Sequence, residues 1–192
     1  WGRTQNLKKY SWVDLDNHLS MEMIVDYLIK KNHKKIAFVN IDEEFNFAFQ
    51  RKESFFDSMK KHQIRASQKN YFTISQNNPE LSFQKVKNFL NKNPKITSII
   101  CCTEYIAAGA IKACNDLNLK IGKDISLITY DSLVISHLTQ PSLTSVSHPV
   151  RELGNQAVNI LLEMRSKKIK NKNYMATPTI IERGSVAKLL NN

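Results

Sequence analysis

Residues 97–110 read TSIICCTEYIAAGA, and two readings compete for them. Adjacent cysteines followed by an acid suggest a metal site, a redox pair or a nucleophile. A short β-branched run handing over to small residues suggests instead a strand, a turn and a helix. Spacing decides between them. Neighbouring residues on a strand point to opposite faces, so Cys101 and Cys102 cannot easily share an ion. A zinc site also wants separated ligands, such as a C-x-x-C pair. A nucleophilic cysteine needs a general base, and no local pattern supplies one. Free cysteine behaves as a small hydrophobe, so both read as core lining. Interest then moves to Thr103 and Glu104, just past the strand.

Working outward, the same unit recurs. KKIAFVN (34–40), NYFTI (70–74) and DISLITY (124–130) are short apolar runs of the kind that form strands buried on both faces. Helical patterns alternate with them. NHLSMEMIVDYLIKKN places Met21, Ile24, Tyr27 and Leu28 on one face, with Asn17 as the expected N-cap. Residues 47–62 carry Phe55 and Met59 four apart. Asn78, Pro79 and Glu80 form a sharp helix start, and Pro94 closes that helix. In residues 104–117, Ala107, Ala110, Ile111 and Cys114 share a stripe. In VRELGNQAVNILLEMRS, Val150, Leu153, Ala157, Ile160, Leu161 and Met164 keep the period. Asn32 and Asn118 follow two of the helices, as left-handed caps would. Strand–helix alternation predicts an α/β fold with a mostly parallel sheet covered by helices on both faces.

The chain has 192 residues, 42% of them hydrophobic, enough for a sizeable core in one or two domains. Its three cysteines are no disulfide framework and suit a reducing compartment. No apolar run approaches the roughly 20 residues of a membrane span. The start, WGRTQNLKKY, is polar and basic, unlike a secretory signal, and lacks an initiator methionine, as a fragment or processed product would. The net charge of +11 invites a nucleic-acid reading. However, the lysines gather at helix ends and in SKKIKNKN (166–173), without a stripe interleaved with aromatics. A solvated surface is the simpler account.

Parallel sheets bind ligands at the carboxyl ends of their strands, which singles out residues 45–51, 76–78 and 103–105, with Asp131 and Ser132. Glycine-rich phosphate loops are absent. Glu104 and Asp131 suit either a glycosidase pair or the recognition of sugar hydroxyls. An arginine fork and an aromatic such as Phe45, Phe47 or Phe49 would complement the latter. The scattered histidines, at 18, 33, 62, 137 and 148, read as surface or capping residues.

Taken in order, these segments resemble the effector-binding core of the LacI/GalR (lactose-repressor/galactose-repressor) family of bacterial transcription regulators. WGR followed by YSWVDLDN is similar to the family's G-R…W-V-D-x-D-N stretch, and YLIKKNHKKIAFV to its H-L-x-x-x-G-H-x-x-I-A segment. RKESFFDSM resembles R-x-x-G-F-x-x-A, and DISLITYDS resembles D-I-S-V-x-G-x-D-D. QPSLTSVSHPVRELGNQAVNILL and TPTIIERGSV are similar to the family's last two segments. The opening stretch falls on C-x-S-D-x-x-A-x-G-A, with Thr103-Glu104 where Ser-Asp is usual.

The resemblance implies a periplasmic-binding-protein-like fold of type I, two α/β lobes with a sugar or other small effector between them. Residues 16–147 plus 179–192 would form the second, C-terminal lobe, nearly complete. Residues 1–15 plus 148–178 would be a remnant of the first. By position, Arg51 is the expected ligand-binding arginine and Asp131 the carboxylate, with Thr103, Asn77 and Phe47 lining the pocket. Ser132 replaces a common second Asp, which changes the pocket's polarity. No metal or cofactor is implied. The expected partners are a small-molecule effector, a second copy in a homodimer, and operator DNA through a helix-turn-helix that this chain lacks. The implied location is the cytoplasm. The small residues Ala107, Ala108, Gly109 and Ala110 suit either a dimer face or packing on the sheet. Rival readings are a secreted sugar-binding protein of a transport system and a hydrolase using Glu104 and Asp131.

Overall fold

The structure, a computed structural model, describes residues 2–3, 9–75, 77–130 and 135–190, the side chain of Gln68 excepted. The elements run β1 (Trp12–Leu15), α1 (Asn17–Lys30), β2 (Ile36–Ile41), α2 (Asn46–Lys61), β3 (Tyr71–Ile74), α3 (Pro79–Lys92), β4 (Ser98–Cys101) and α4 (Glu104–Asp116). They continue with β5 (Ser126–Tyr130), the short α5 (Ile135–Leu138), β6 (Thr144–Val146), α6 (Val150–Lys167), β7 (Asn173–Ala176) and β8 (Ile180–Ile181). Every strand and helix expected from periodicity is present.

Six strands make one sheet in the order β3-β2-β4-β5-β6-β8, parallel except for β8, and β1 pairs in parallel with β7 in a second, two-stranded sheet. The chain leaves β2 in one direction to form β3, then crosses back to form β4. Right-handed crossovers therefore put α2 and α3 on opposite faces. α1 packs on α2, and α3 on α4, so each face receives a helix pair. All six residues of β2 are buried as a result. Phe38 meets Phe55 of α2 at 5.5 Å between ring centroids.

Caps follow local chemistry, with one correction. α3 starts as expected, with Asn78 Oδ1 accepting from the Glu80 and Leu81 amides at 2.8 and 3.1 Å. Asn32 and Asn118 hold φ of 69° and 55°, a left-handed conformation that Asn tolerates. The cap of α1 is Asp16, not Asn17: Asp16 Oδ1 accepts from the Leu19 amide at 3.0 Å. Asn17 is the first helical residue, and its amide side chain is buried.

Cys101, Cys102 and Cys114 are buried free thiols, as core lining requires. Burial pushes the Cys101 thiol up and the Cys114 thiol up to about 12, far from reactive thiolate. The strand ends at Cys101, so Cys102 begins the turn. The small residues of α4 are used inside the chain. A Cβ on Gly109 would lie 2.4 Å from Ser82 Cβ and 2.5 Å from the Pro79 carbonyl oxygen, while Ala107 and Ala110 are fully buried.

Two expectations fail. His33 is a core residue, not a surface one: Nδ1 bonds Thr97 Oγ1 at 2.9 Å, and Nε2 faces the Ala187 carbonyl at 3.0 Å and Ser126 Oγ at 3.1 Å. Saturating both ring nitrogens is what permits its burial. On α6 only Leu153 and Ile160 are buried. Val150, Val158, Leu161 and Leu162 are 46–66% exposed, because nothing described packs on that side of the helix.

Candidate functional site

A cavity of about 540 Å³ with converging polar groups lies at the carboxyl ends of the strands. It lies where the order reverses between β3-β2 and β4-β5, as expected for a parallel sheet. Six of the strand ends contribute: Asp14 and Leu15 from β1, Phe45–Phe47 after β2, Asn77 after β3, Thr103–Tyr105 after β4, Tyr130 from β5 and His148 after β6.

Arg51 is the organising residue. It is only 4% exposed, carried by the first turns of α2 into the cavity wall. Its Nε donates to Asn17 Oδ1 at 3.0 Å, and its Nη1 to the Cys102 carbonyl at 3.1 Å. The guanidinium carbon sits 3.4 Å from the Tyr130 ring centroid and 4.9 Å from that of Phe47. Cation–π contact of this kind strengthens when water is excluded. Among the described residues no carboxylate forms an ion pair with Arg51.

A polar chain holds these groups in place. Asn17 Nδ2 donates to the Leu15 carbonyl at 3.2 Å and to Gln50 Oε1 at 3.3 Å. Gln50 Oε1 also accepts from Arg3 Nη2 at 2.7 Å, and Arg3 Nε reaches Asp14 Oδ2 at 3.1 Å. Asp14 and Arg51 thus belong to one network that ties the two sheets together across the cavity. Tyr130 donates to or accepts from Ser20 Oγ at 3.1 Å. Burial pushes its hydroxyl up to about 12, against the pull of Arg51, so it stays neutral. His148 is held below its ordinary value by burial, then by the Arg51 charge, with Asp14 opposing. A neutral imidazole with hydrogen-bonding capacity therefore faces the cavity near neutral pH.

Four sequence-predicted residues, Arg51, Thr103, Asn77 and Phe47, line this one cavity. Thr103 Oγ1 donates to Asn77 Oδ1 at 2.7 Å and accepts from the Ile106 amide at 3.3 Å, capping α4. The fifth, Asp131, lies outside the described residues, as does Ser132. Glu104 also lines the cavity, and its Oε1 accepts from the Ile135 amide at 3.3 Å. Of the candidate aromatics, Phe45 joins Phe47 in the lining, whereas Phe49 does not.

Sequence reasoning missed Asp14, Asn17, Tyr130, His148 and Arg3. The strand-end rule would have found Asp14 and Asn17 had it been applied to WVDLDN as well. Tyr130 lies inside a strand pattern, and nothing local marks a histidine between two elements as a cavity residue. Among the described residues no group of three His, Cys, Asp or Glu side chains could hold a metal ion, and no helix is long and apolar enough to cross a membrane.

Residues 25–186 match the family profile of the Periplasmic binding protein-like domain. The repressor PurR of Klebsiella pneumoniae subsp. pneumoniae is 30% identical over 162 residues, 84% of this chain and 47% of the repressor. The chain thus spans about half the length of the curated relatives it matches. A LacI-family regulatory protein from Chloroflexus aggregans superposes with a TM-score of 0.89 at 24% identity, over 97% of this chain and 67% of that one. A LacI-family regulator from Enterococcus faecium with bound ribose gives 0.85 at 20% identity, over 98% and 69%.

Proposed function

The chain belongs to the periplasmic binding protein-like domain family in its LacI/GalR regulator form, and from that membership we propose that it is the effector-binding and dimerisation module of a sugar-responsive transcription regulator. The effector occupies the cavity around Arg51. That residue carries the reading: a buried guanidinium, in contact with two rings and with no described carboxylate partner, is a costly arrangement that a ligand oxygen would offset. Thr103 and Asn77 supply hydroxyl and amide groups beside it, Phe47 an apolar face, and Asp131 the carboxylate. A polyhydroxyl ring with one apolar face meets all of them.

The domain division follows the same logic. Residues 16–147 plus 179–192 act as one lobe. Residues 1–15 plus 148–178 act as part of another, which is consistent with a sheet of only two strands and an uncovered face on α6. Because Asp14 lies on one side of the cavity and Arg51 on the other, an effector would bridge the lobes and favour their closed arrangement. In the intact, homodimeric protein that shift alters operator binding through a helix-turn-helix elsewhere in the polypeptide. The work is binding in the cytoplasm, not turnover.

A thermal-shift series of mono- and disaccharides tests the reading. One sugar should raise the melting temperature, and both Arg51→Ala and Asp131→Ala should remove the shift. A shift that survives both substitutions rules out the assigned site.

A further inference from the structure

We propose that the groove between the edge strand β3 and helix α3 is a docking site for an acidic, extended polypeptide segment that adds to β3 as a further strand. Among the described residues β3 pairs only with β2, which leaves its outer side available. Beside it runs a shallow groove of about 620 Å³, lined among others by Lys69, Phe72, Lys85, Phe89 and Lys92. Among the described residues no Asp or Glu lines it.

Charge selects the occupant. Elsewhere Lys31, Lys52, Lys61, Lys87, Lys112 and Lys172 each pair with a carboxylate. Lys69, Lys85 and Lys92 are exposed and form no ion pair among the described residues. Lys34, Lys35 and Lys95, exposed at the starts of β2 and β4, extend the patch; the Thr97 amide bonds the Lys35 carbonyl at 2.9 Å, which joins those two starts.

Lysines on edge strands often serve to repel other strands. Here they sit on the flanking turn and on α3, while β3 itself, YFTI, carries no charge. They frame the edge instead of blocking it. Lys85 Nζ already donates to the Thr73 carbonyl at 3.2 Å, so that edge acceptor takes a donor from outside the sheet. An incoming backbone N–H would replace the ammonium and release Lys85 to a carboxylate. Alternate side chains of an added strand point the same way, so acids at every second position would meet the lysines. Phe72 and Phe89 offer an apolar floor. Their rings pack on each other at 4.9 Å, which uses faces that nucleic-acid bases would need for stacking.

The test is fluorescence anisotropy of the full chain with a labelled peptide of about eight residues alternating Glu and Val. The acidic peptide should bind, and its Lys/Val counterpart should not. Backbone N-methylation along the pairing edge should weaken binding about ten-fold or more, as should the double variant Lys69→Glu, Lys92→Glu. Absence of acidic-peptide binding overturns the proposal. So does equal binding of the N-methylated peptide, which would reduce the groove to a charge patch, or tighter binding of a single-stranded oligonucleotide of equal charge. The N-methylated arm needs no protein variant, so a misfolded double variant leaves the test decisive.

Discussion

Arg51 and His33 show two ways of keeping an ionisable side chain inside this protein. Arg51 is held by three hydrogen bonds, to Asn17 Oδ1 and to the carbonyl and Sγ of Cys102, and by two rings. Lysine cannot reproduce that planar fork. Arg51→Lys should therefore lower stability by about 1–2 kcal/mol, read by urea unfolding, and remove any effector-induced rise in melting temperature. His33 instead stays neutral, its value held below 6.5 by burial with the Ala187 carbonyl bond opposing. In the unfolded chain the ring binds a proton near the ordinary value of about 6.5, which the folded chain resists. Its contribution is thus fully present above that value and is lost as pH falls through the folded one. His148, also held low, acts in the same direction. Urea midpoints should fall between about pH 7.5 and pH 5.5, and His33→Gln should flatten part of that fall.

At the scale of elements, helix starts and helix contacts carry specific costs. Asn78 caps α3 through two amides, so Asn78→Ala should cost about 1 kcal/mol. Gly109 of α4 is pressed against the start of α3, and an added methyl would meet Ser82 Cβ at 2.4 Å. Alanine improves helix propensity by up to about 1 kcal/mol, yet overpacking typically costs about 1–3 kcal/mol. The contact is with backbone as well as side chain, so it should win. Gly109→Ala should be net destabilising in urea unfolding, and a stabilised variant would mean that α3 moves freely. Most elements were legible beforehand because strands buried on both faces read as continuous apolar runs and because Asn-Pro-Glu marks a helix start. The burial of α6 was not legible. Periodicity reports which face is apolar, not whether a partner is there to cover it.

For the whole molecule, that uncovered face has a measurable consequence. Leu161 and Leu162 are 66% and 59% exposed and form, with Val158, an apolar surface of the kind that promotes association. Replacing both leucines with Gln should change unfolding stability by less than about 0.5 kcal/mol, since surface substitutions away from packed contacts cost little. It should also reduce self-association in sedimentation velocity. The charge distribution likewise emerges only at this scale. Lys34, Lys69 and Lys92 are far apart in sequence, but parallel strands bring their starts, and the helix ends before them, to one end of the sheet, opposite the cavity.

Sequence alone determined the alternation of strands and helices, the family likeness, and the idea that residues after strands make the site. It identified Arg51, Thr103, Asn77 and Phe47, which line one cavity. It also moved TSIICC from chemistry to core, which holds for Cys101, whereas Cys102 begins the turn and lines the cavity, its Sγ 3.4 Å from Arg51 Nη1. Tertiary structure decided the rest. It turned Asn17 from a cap into the partner of Arg51, brought Tyr130 and His148 to the same wall, and buried His33. The physical reason is range: propensity, periodicity and capping act over a few residues, whereas who neutralises, stacks on or covers a side chain depends on segments brought together only by sheet order.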